Sequence, residues 1–151
     1  MIGRLALAML LAAGSAAAEP TRVTWVLGGL MSGPYRLSAD LAAGVLEEAR
    51  PPAGVSGDGA GLNAWSLPVT GRHPLLPAQR QEIAALAARL YQPGAFRCPG
   101  LPSPGMIDAL GALEIEQDGQ ARRSDGPVPC LTPDGDALVR ALTCALPSRC
   151  P

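Results

Sequence analysis

The chain reads as an α+β protein: a small antiparallel sheet of about four strands, with two or three helices packed on one face and disulfides tying the fold. Three observations predict this class. Residues 21–27 (TRVTWVL), rich in β-branched and aromatic residues, and 113–116 (LEIE), with strict apolar/acidic alternation, have strand character. Two other stretches, beginning near Pro77 and Pro133, repeat apolar residues at helical spacing. The strands and helices alternate loosely, without the regular βαβ spacing or the glycine signature of a nucleotide-binding sheet.

The first eighteen residues read as a cleaved export signal. Arg4 supplies a positive start, residues 5–13 (LALAMLLAA) form an apolar run too short to span a bilayer, and Ala16-Ala17-Ala18 offers the small residues of a cleavage site. Residues 19–151 are then expected to form one α+β domain in the periplasm or outside the cell, and no cysteine follows the apolar run to carry a lipid anchor. Loss of the leader takes Arg4 from the 12 basic residues and none of the 13 acidic ones, so the net charge moves from −1 to −2. That balance argues against a nucleic-acid partner and against an anionic membrane surface. Every basic side chain is Arg, which with the abundant Ala, Gly and Pro reflects GC-rich coding. Trp25, Trp65, Tyr35, Tyr91 and Phe96 are the whole aromatic set, so the core must be built from Leu, Val, Ile and Ala.

Residues 21–27 form the first expected strand, broken by Gly28-Gly29 and Ser32-Gly33-Pro34. Residues 35–37 suit a short return strand. Ser38 can then cap a helix with Leu41, Val45, Leu46 and Ala49 on one side, weakened by Gly44 and ended by Pro51-Pro52. Residues 53–62 (AGVSGDGAGL) are a glycine-rich loop. In 63–69 (NAWSLPV), Trp65, Leu67 and Val69 alternate on one face, and Pro68 favours an edge strand.

The clearest helix follows, with Ile83, Leu86, Ala87, Leu90 and Tyr91 on one stripe, Pro77 in its first turn and Pro93-Gly94 beyond its end. Its other face carries Arg80, Glu82 and Arg89 as solvated charge. Residues 96–106 (FRCPGLPSPGM) form an irregular connection. Asp118-Gly119 then predicts a hairpin with a two-residue type I′ turn. That turn sets Gln117 opposite Gln120, Glu116 opposite Ala121, Ile115 opposite Arg122 and Glu114 opposite Arg123. A Glu114/Arg123 pair would contribute roughly 0.2–1 kcal/mol, while the Arg122 stem would lie on apolar surface with its head in water. Last comes a helix over 133–145, capped by Thr132, with Pro133 at its first position and Asp134 and Asp136 near its positive end. Leu138, Val139, Leu142 and Leu146 face inward, and Pro147 follows.

Cys98, Cys130, Cys144 and Cys150 form an even set in an exported chain and read as two disulfides. A helix over 133–145, rising about 1.5 Å per residue, holds Cys130 and Cys144 beyond the ~7 Å Cα limit of a bridge. Two frameworks remain, 98–130 with 144–150 and 98–144 with 130–150. The first is preferred because Cys144 and Cys150 flank a Pro-Ser turn.

No residue set points to catalysis, a cofactor or a metal. With His73 the only histidine and the cysteines oxidised, zinc lacks ligands. A serine triad would need His73, which lies in a Gly-Arg-His-Pro stretch that reads as an exposed loop, and there is no GxSxG. Gly57-Asp58-Gly59-Ala60-Gly61 has the composition of a phosphate loop without its strand, helix and Lys. Asp134-Gly135-Asp136 lacks the other ligands of a calcium loop and is explained by helix capping. Glu114 and Glu116 share a strand face as solvated charge, with no second acidic cluster to complete a glycosidase pair.

The order VTWVLGGLMSG, LPAQRQEIAALAARL, IDALGALEIEQDGQARRSDG, DALVRAL is similar to small bacterial domains of the emfourin type. These combine a strand running into Gly-Gly, a helix, a hairpin with Asp-Gly at its turn and a closing helix. The resemblance implies a proteinaceous inhibitor of thermolysin-like metallopeptidases, and assigns no contact residue here. Two functions are therefore expected to compete. The first is an exported, non-enzymatic binding protein with a protein partner such as a peptidase, presenting 28–34 or 53–62. The second is a small periplasmic hydrolase or ligand-binding protein. An exposed patch around Trp25 or Trp65 would favour the first, and a deep pocket joining His73 to Asp or Glu the second.

Overall fold

The computed structural model describes residues 18–29, 33–54, 63–93, 109–124 and 132–150. Residues 1–17, 30–32, 55–62, 94–108, 125–131 and 151 lie outside them. So do Cys98 and Cys130, and with them the pairing expected between these two. The fold class is α+β, with one antiparallel sheet of six strands and two α-helices among the described residues. The strands are β1 (Pro20–Gly29), β2 (Tyr35–Asp40), β3 (Val45–Ala49), β4 (Val69–Pro74), β5 (Ala109–Gln117) and β6 (Gln120–Arg123), in the order β4-β3-β2-β1-β5-β6. Helix α1 spans Pro77–Leu90 and α2 spans Pro133–Cys144.

The sheet has six strands against the about four expected, and the one strand with no counterpart among the expected elements is β3, because the helix expected after Ser38 is instead the end of β2, a turn and β3. The spacing of Leu41, Val45, Leu46 and Ala49 fits a helix, but turn chemistry wins locally. The Asp40 carboxylate accepts the Ala43 N–H at 2.8 Å, Gly44 N–H donates to the Asp40 carbonyl at 2.9 Å, and Gly44 sits at φ +68°, where a side chain is strained. The chain therefore reverses between Leu41 and Gly44. Residues 63–68 depart from expectation too: Asn63 accepts the Trp65 N–H at 3.0 Å and caps a 3₁₀ turn, Ala64–Ser66, so the strand starts only at Val69. It does occupy a sheet edge, as Pro68 requires.

Strand alternation sorts the sheet into two faces. Val23 and Trp25 of β1, Leu37 and Ala39 of β2, Leu46 of β3, and Leu113 and Ile115 of β5 point to the side of the helices. There they pack with Ile83, Leu86, Ala87 and Leu90 of α1 and Leu138, Leu142 and Leu146 around α2. Thr24, Val26, Arg36, Ser38 and Ala49 point to the other side, which residues 63–68 cross. Arg36 donates through Nη1 to the Trp65 carbonyl and through Nη2 to the Leu67 carbonyl at 2.9 Å, which ties this segment to the sheet, and Leu67, Val26 and Ala49 are all buried. The buried hydroxyls of Thr24 and Ser38 satisfy one another at 2.9 Å.

The hairpin register is the one Asp118-Gly119 dictates, from Gln117↔Gln120 to Glu114↔Arg123, and Arg123 Nη2 meets Glu114 Oε2 at 2.6 Å. Arg122 corrects the expectation of a head in water. Its guanidinium stacks on Tyr91, 4.5 Å from the ring centroid, and donates to the Tyr91 carbonyl at 2.6 Å at the negative end of α1. Helix α2 begins as expected, with Thr132 Oγ1 accepting the Gly135 N–H at 3.3 Å.

The two ends of the sheet are built differently. At one end lie the turn 41–44, the link 75–76 between β4 and α1, and the turn at Asp118-Gly119. At the other, Gly29, Tyr35, Ala49, Val69 and Ala109 are register neighbours. From that end the chain leaves into the connections 30–34 and 50–68, and there it arrives from 94–108.

Candidate functional site

The open end gathers four side chains that the sequence scatters. Strand pairing places Glu48 of β3 opposite Leu37 on the helix side of the sheet, beyond the apolar core. Tyr35 opens β2 next to it, Arg50 follows two residues later, and β4 brings His73 alongside. Glu48 Oε1 accepts from Arg50 Nε at 2.8 Å, Arg50 Nη2 at 2.6 Å and the Tyr35 hydroxyl at 3.2 Å. The Arg50 guanidinium also lies over the Tyr35 ring, 5.1 Å from its centroid. Glu48 Oε2 faces His73 Nε2 at 3.6 Å, beyond hydrogen-bond length but within ion-pair range when the imidazole is charged.

This position corrects the reading of His73 as an exposed loop residue. It belongs to β4, its side chain is only 25 % exposed, and Nε2 is buried with no hydrogen-bond partner. Gly71, opposite Glu48, makes the approach possible. A Cβ there would stand 3.0 Å from His73 Nε2 and 3.5 Å from Glu48 Oε2. The sequence signal was the alternation in 45–49, which places Leu46 and Glu48 on one face as soon as the segment is read as a strand.

Burial works to raise the Glu48 pKa, but the hydrogen bonds and charge of Arg50, followed by the Tyr35 hydroxyl, outweigh it and hold the carboxyl below its ordinary value. Burial, then the neighbouring Glu48 charge, pushes the Tyr35 phenol up from 10.0 to about 12. Tyr35 is thus a neutral donor at any physiological pH, and Glu48 a carboxylate already engaged by three donors.

Beside this cluster opens a cleft of about 430 Å³, with Leu27, Pro34 and Pro51 as apolar walls and Tyr35, Arg50, Thr143 and Arg149 as polar ones. Arg149 reaches it from the ring closed by the Cys144–Cys150 disulfide, the pairing the Pro-Ser turn suggested. Within that ring Ser148 adopts φ +62°, and Arg149 N–H approaches the Leu146 carbonyl at 3.4 Å.

The other sequence candidates are accounted for locally. Asp134 pairs with Arg89 at 3.1 Å, docking the start of α2 on the end of α1. Glu114 is held by Arg123, and Glu116 lends its carbonyl to the Thr21 hydroxyl at 3.2 Å. Trp25 is 5 % exposed in the core, and Trp65 lies under the Arg123 guanidinium, 3.8 Å from its ring centroid, so neither presents an open aromatic patch. Gly57 to Gly61 lie outside the described residues. Among the described residues, no three His, Cys, Asp or Glu side chains are grouped to hold a metal ion, and no helix is long and apolar enough to cross a membrane. Comparison of the chain with protein-family models, curated proteins and solved structures finds no match.

Proposed function

We propose that this chain is an exported, non-enzymatic binding protein that engages a protein partner through the open end of its sheet, in the manner of an inhibitor of thermolysin-like peptidases. The observation carrying this reading is the asymmetry of the sheet. Tight turns and a helix start close one end, while connections 30–34 and 50–68 leave the other beside the cleft. A sheet end that bears a cleft is suited to recognition, because the described residues lining the cleft are already held by the fold. The resemblance of the sequence motifs to those of emfourin-type domains supports the peptidase as partner class, and the disulfide suits an oxidising compartment. Titration of thermolysin with the purified chain tests it. Stoichiometric slowing, with the chain recovered uncut, is expected; full peptidase activity at a tenfold excess of chain would reject the inhibitor reading.

The approach of His73 to Glu48 favours a second reading, a small hydrolase. Against it, three donors already occupy one Glu48 oxygen, and His73 does not line the neighbouring cleft. A hydrolytic activity abolished by His73→Ala, together with failure to bind such peptidases, would establish the enzyme instead.

A further inference from the structure

We infer that the cleft between Tyr35, Arg50 and Arg149 is a binding site for a carboxylate carried on a small apolar body, with Arg149 as the residue that pairs with the carboxylate. The inference rests on the binding reading and narrows the chemistry of what is bound.

Charge decides the polar half of the ligand. Arg50 is committed to Glu48 through two of its nitrogens, so those two groups cancel. Arg149 takes part in none of the ion pairs of the described residues, which join Arg22 to Asp40, Arg50 to Glu48, Arg72 to Glu47, Arg89 to Asp134 and Arg123 to Glu114. Among the described residues lining it, the cleft therefore carries one positive charge, that of Arg149, not balanced by an ion pair. A guanidinium presents a planar fork of donors that matches a carboxylate.

Shape decides the apolar half. Leu27, Pro34 and Pro51 line the wall, and the volume of about 430 Å³ falls within the roughly 300–1,000 Å³ of small-molecule clefts. It equals the space of about fourteen waters at roughly 30 Å³ each. An ion without an apolar body would leave that wall wet.

The disulfide is part of the site. Arg149 immediately precedes Cys150, whose bond to Cys144 folds the tail back over the end of α2. Without the bond, no covalent tie holds Arg149 against the end of α2, and the entropic cost of holding it at the cleft falls on the ligand.

The carboxylate can come from a small amphiphile or from a peptide C-terminus, and the test separates the two. The full chain is titrated with octanoate, with N-acetylleucine and with the neutral octanamide, and binding is followed by NMR shifts of the Leu27 and Thr143 methyl groups. Octanoate or N-acetylleucine should shift these signals saturably, and the tighter of the two identifies the source. Octanamide should bind at least tenfold more weakly. Arg149→Ala should weaken the carboxylate roughly 10- to 100-fold, the range for hydrogen bonds to charged groups, and Arg149→Lys should restore part of it. Cys150→Ser, with an unchanged amide spectrum in the core, should weaken binding although Arg149 is present. Equal affinity for octanoate and octanamide, unchanged affinity in Arg149→Ala, shifts confined to a second cleft, lined by Gly44, Leu75, Pro77 and Ala84, or no shift with either carboxylate would each overturn the inference. Peptidase inhibition is not measured here, so failure of the ligand and failure of the inhibitor reading are told apart.

Discussion

The closed and open ends of the sheet solve different problems with the same strands. At the closed end, short-range chemistry fixes the two turns: Asp40 caps the turn to Gly44, and Asp118 and Gly119 adopt the positive φ of a type I′ turn. At the open end, order comes from partners far apart in sequence. Tyr35, Glu48 and Arg50 meet there, the His73 imidazole approaches Glu48 from a strand position opposite Leu46, and the disulfide ring supplies Arg149. The closed end thus sets register and stability, whereas the open end holds charge at a cleft, an arrangement suited to recognition.

The comparison can be broken first through the core that joins the two ends. Leu46 is fully buried and anchors β3 beneath the helices. Leu46→Ala should cost about 2–5 kcal/mol in chemical denaturation, and a loss below 1 kcal/mol would mean that β3 does not hold the core. Next in size is the open end's own tie. Removing the Cys144–Cys150 bond by paired Ala substitutions should cost about 2 kcal/mol, since closing a loop of six residues restricts the unfolded chain by that order. Gly44→Ala at the closed end should cost about 1 kcal/mol, because a Cβ meets no neighbour there and only the positive φ opposes it.

A gentler effect distinguishes the ends by pH. Asp40 is held below its ordinary value of 3.8 first by the Ala43 N–H and then by Arg22, and Glu48 below 4.5 by Arg50 and Tyr35 acting against burial. A depressed carboxylate contributes stability that is complete above its unfolded value and lost as pH falls through the folded one. Urea midpoints should therefore begin to fall near pH 4.5 and continue downward. Glu48→Gln should flatten the upper part of that decline, and Asp40→Asn the lower part. An identical acid limb in both variants would contradict the assigned roles.

What was legible in the sequence follows the same division. β1, the β5–β6 register, α1 and α2 were readable because alternation, Asp-Gly, proline and a threonine cap each act within a few residues. The β2–β3 hairpin was not, since Leu41, Val45, Leu46 and Ala49 satisfy helical spacing, and the deciding residue was Gly44, which weakened the helix without naming the turn. Within 63–69 the proline located the edge correctly, but the Asn63 cap displaced the strand towards Val69. The cluster at the open end had no local signature. Glu48 and His73 lie twenty-five positions apart in the numbering of the chain and meet only when β3 pairs with β4, so an isolated histidine read as a loop residue.

The central claim, that recognition belongs to the open end, is tested most directly by amide hydrogen exchange of the full chain, alone and mixed with thermolysin. The account predicts added protection in residues 27–36, around Arg50 and in 143–150, with no change at 41–44 or 118–119. Added protection confined to those two turns, or an exchange pattern unaltered by the peptidase at concentrations that saturate inhibition, would contradict it.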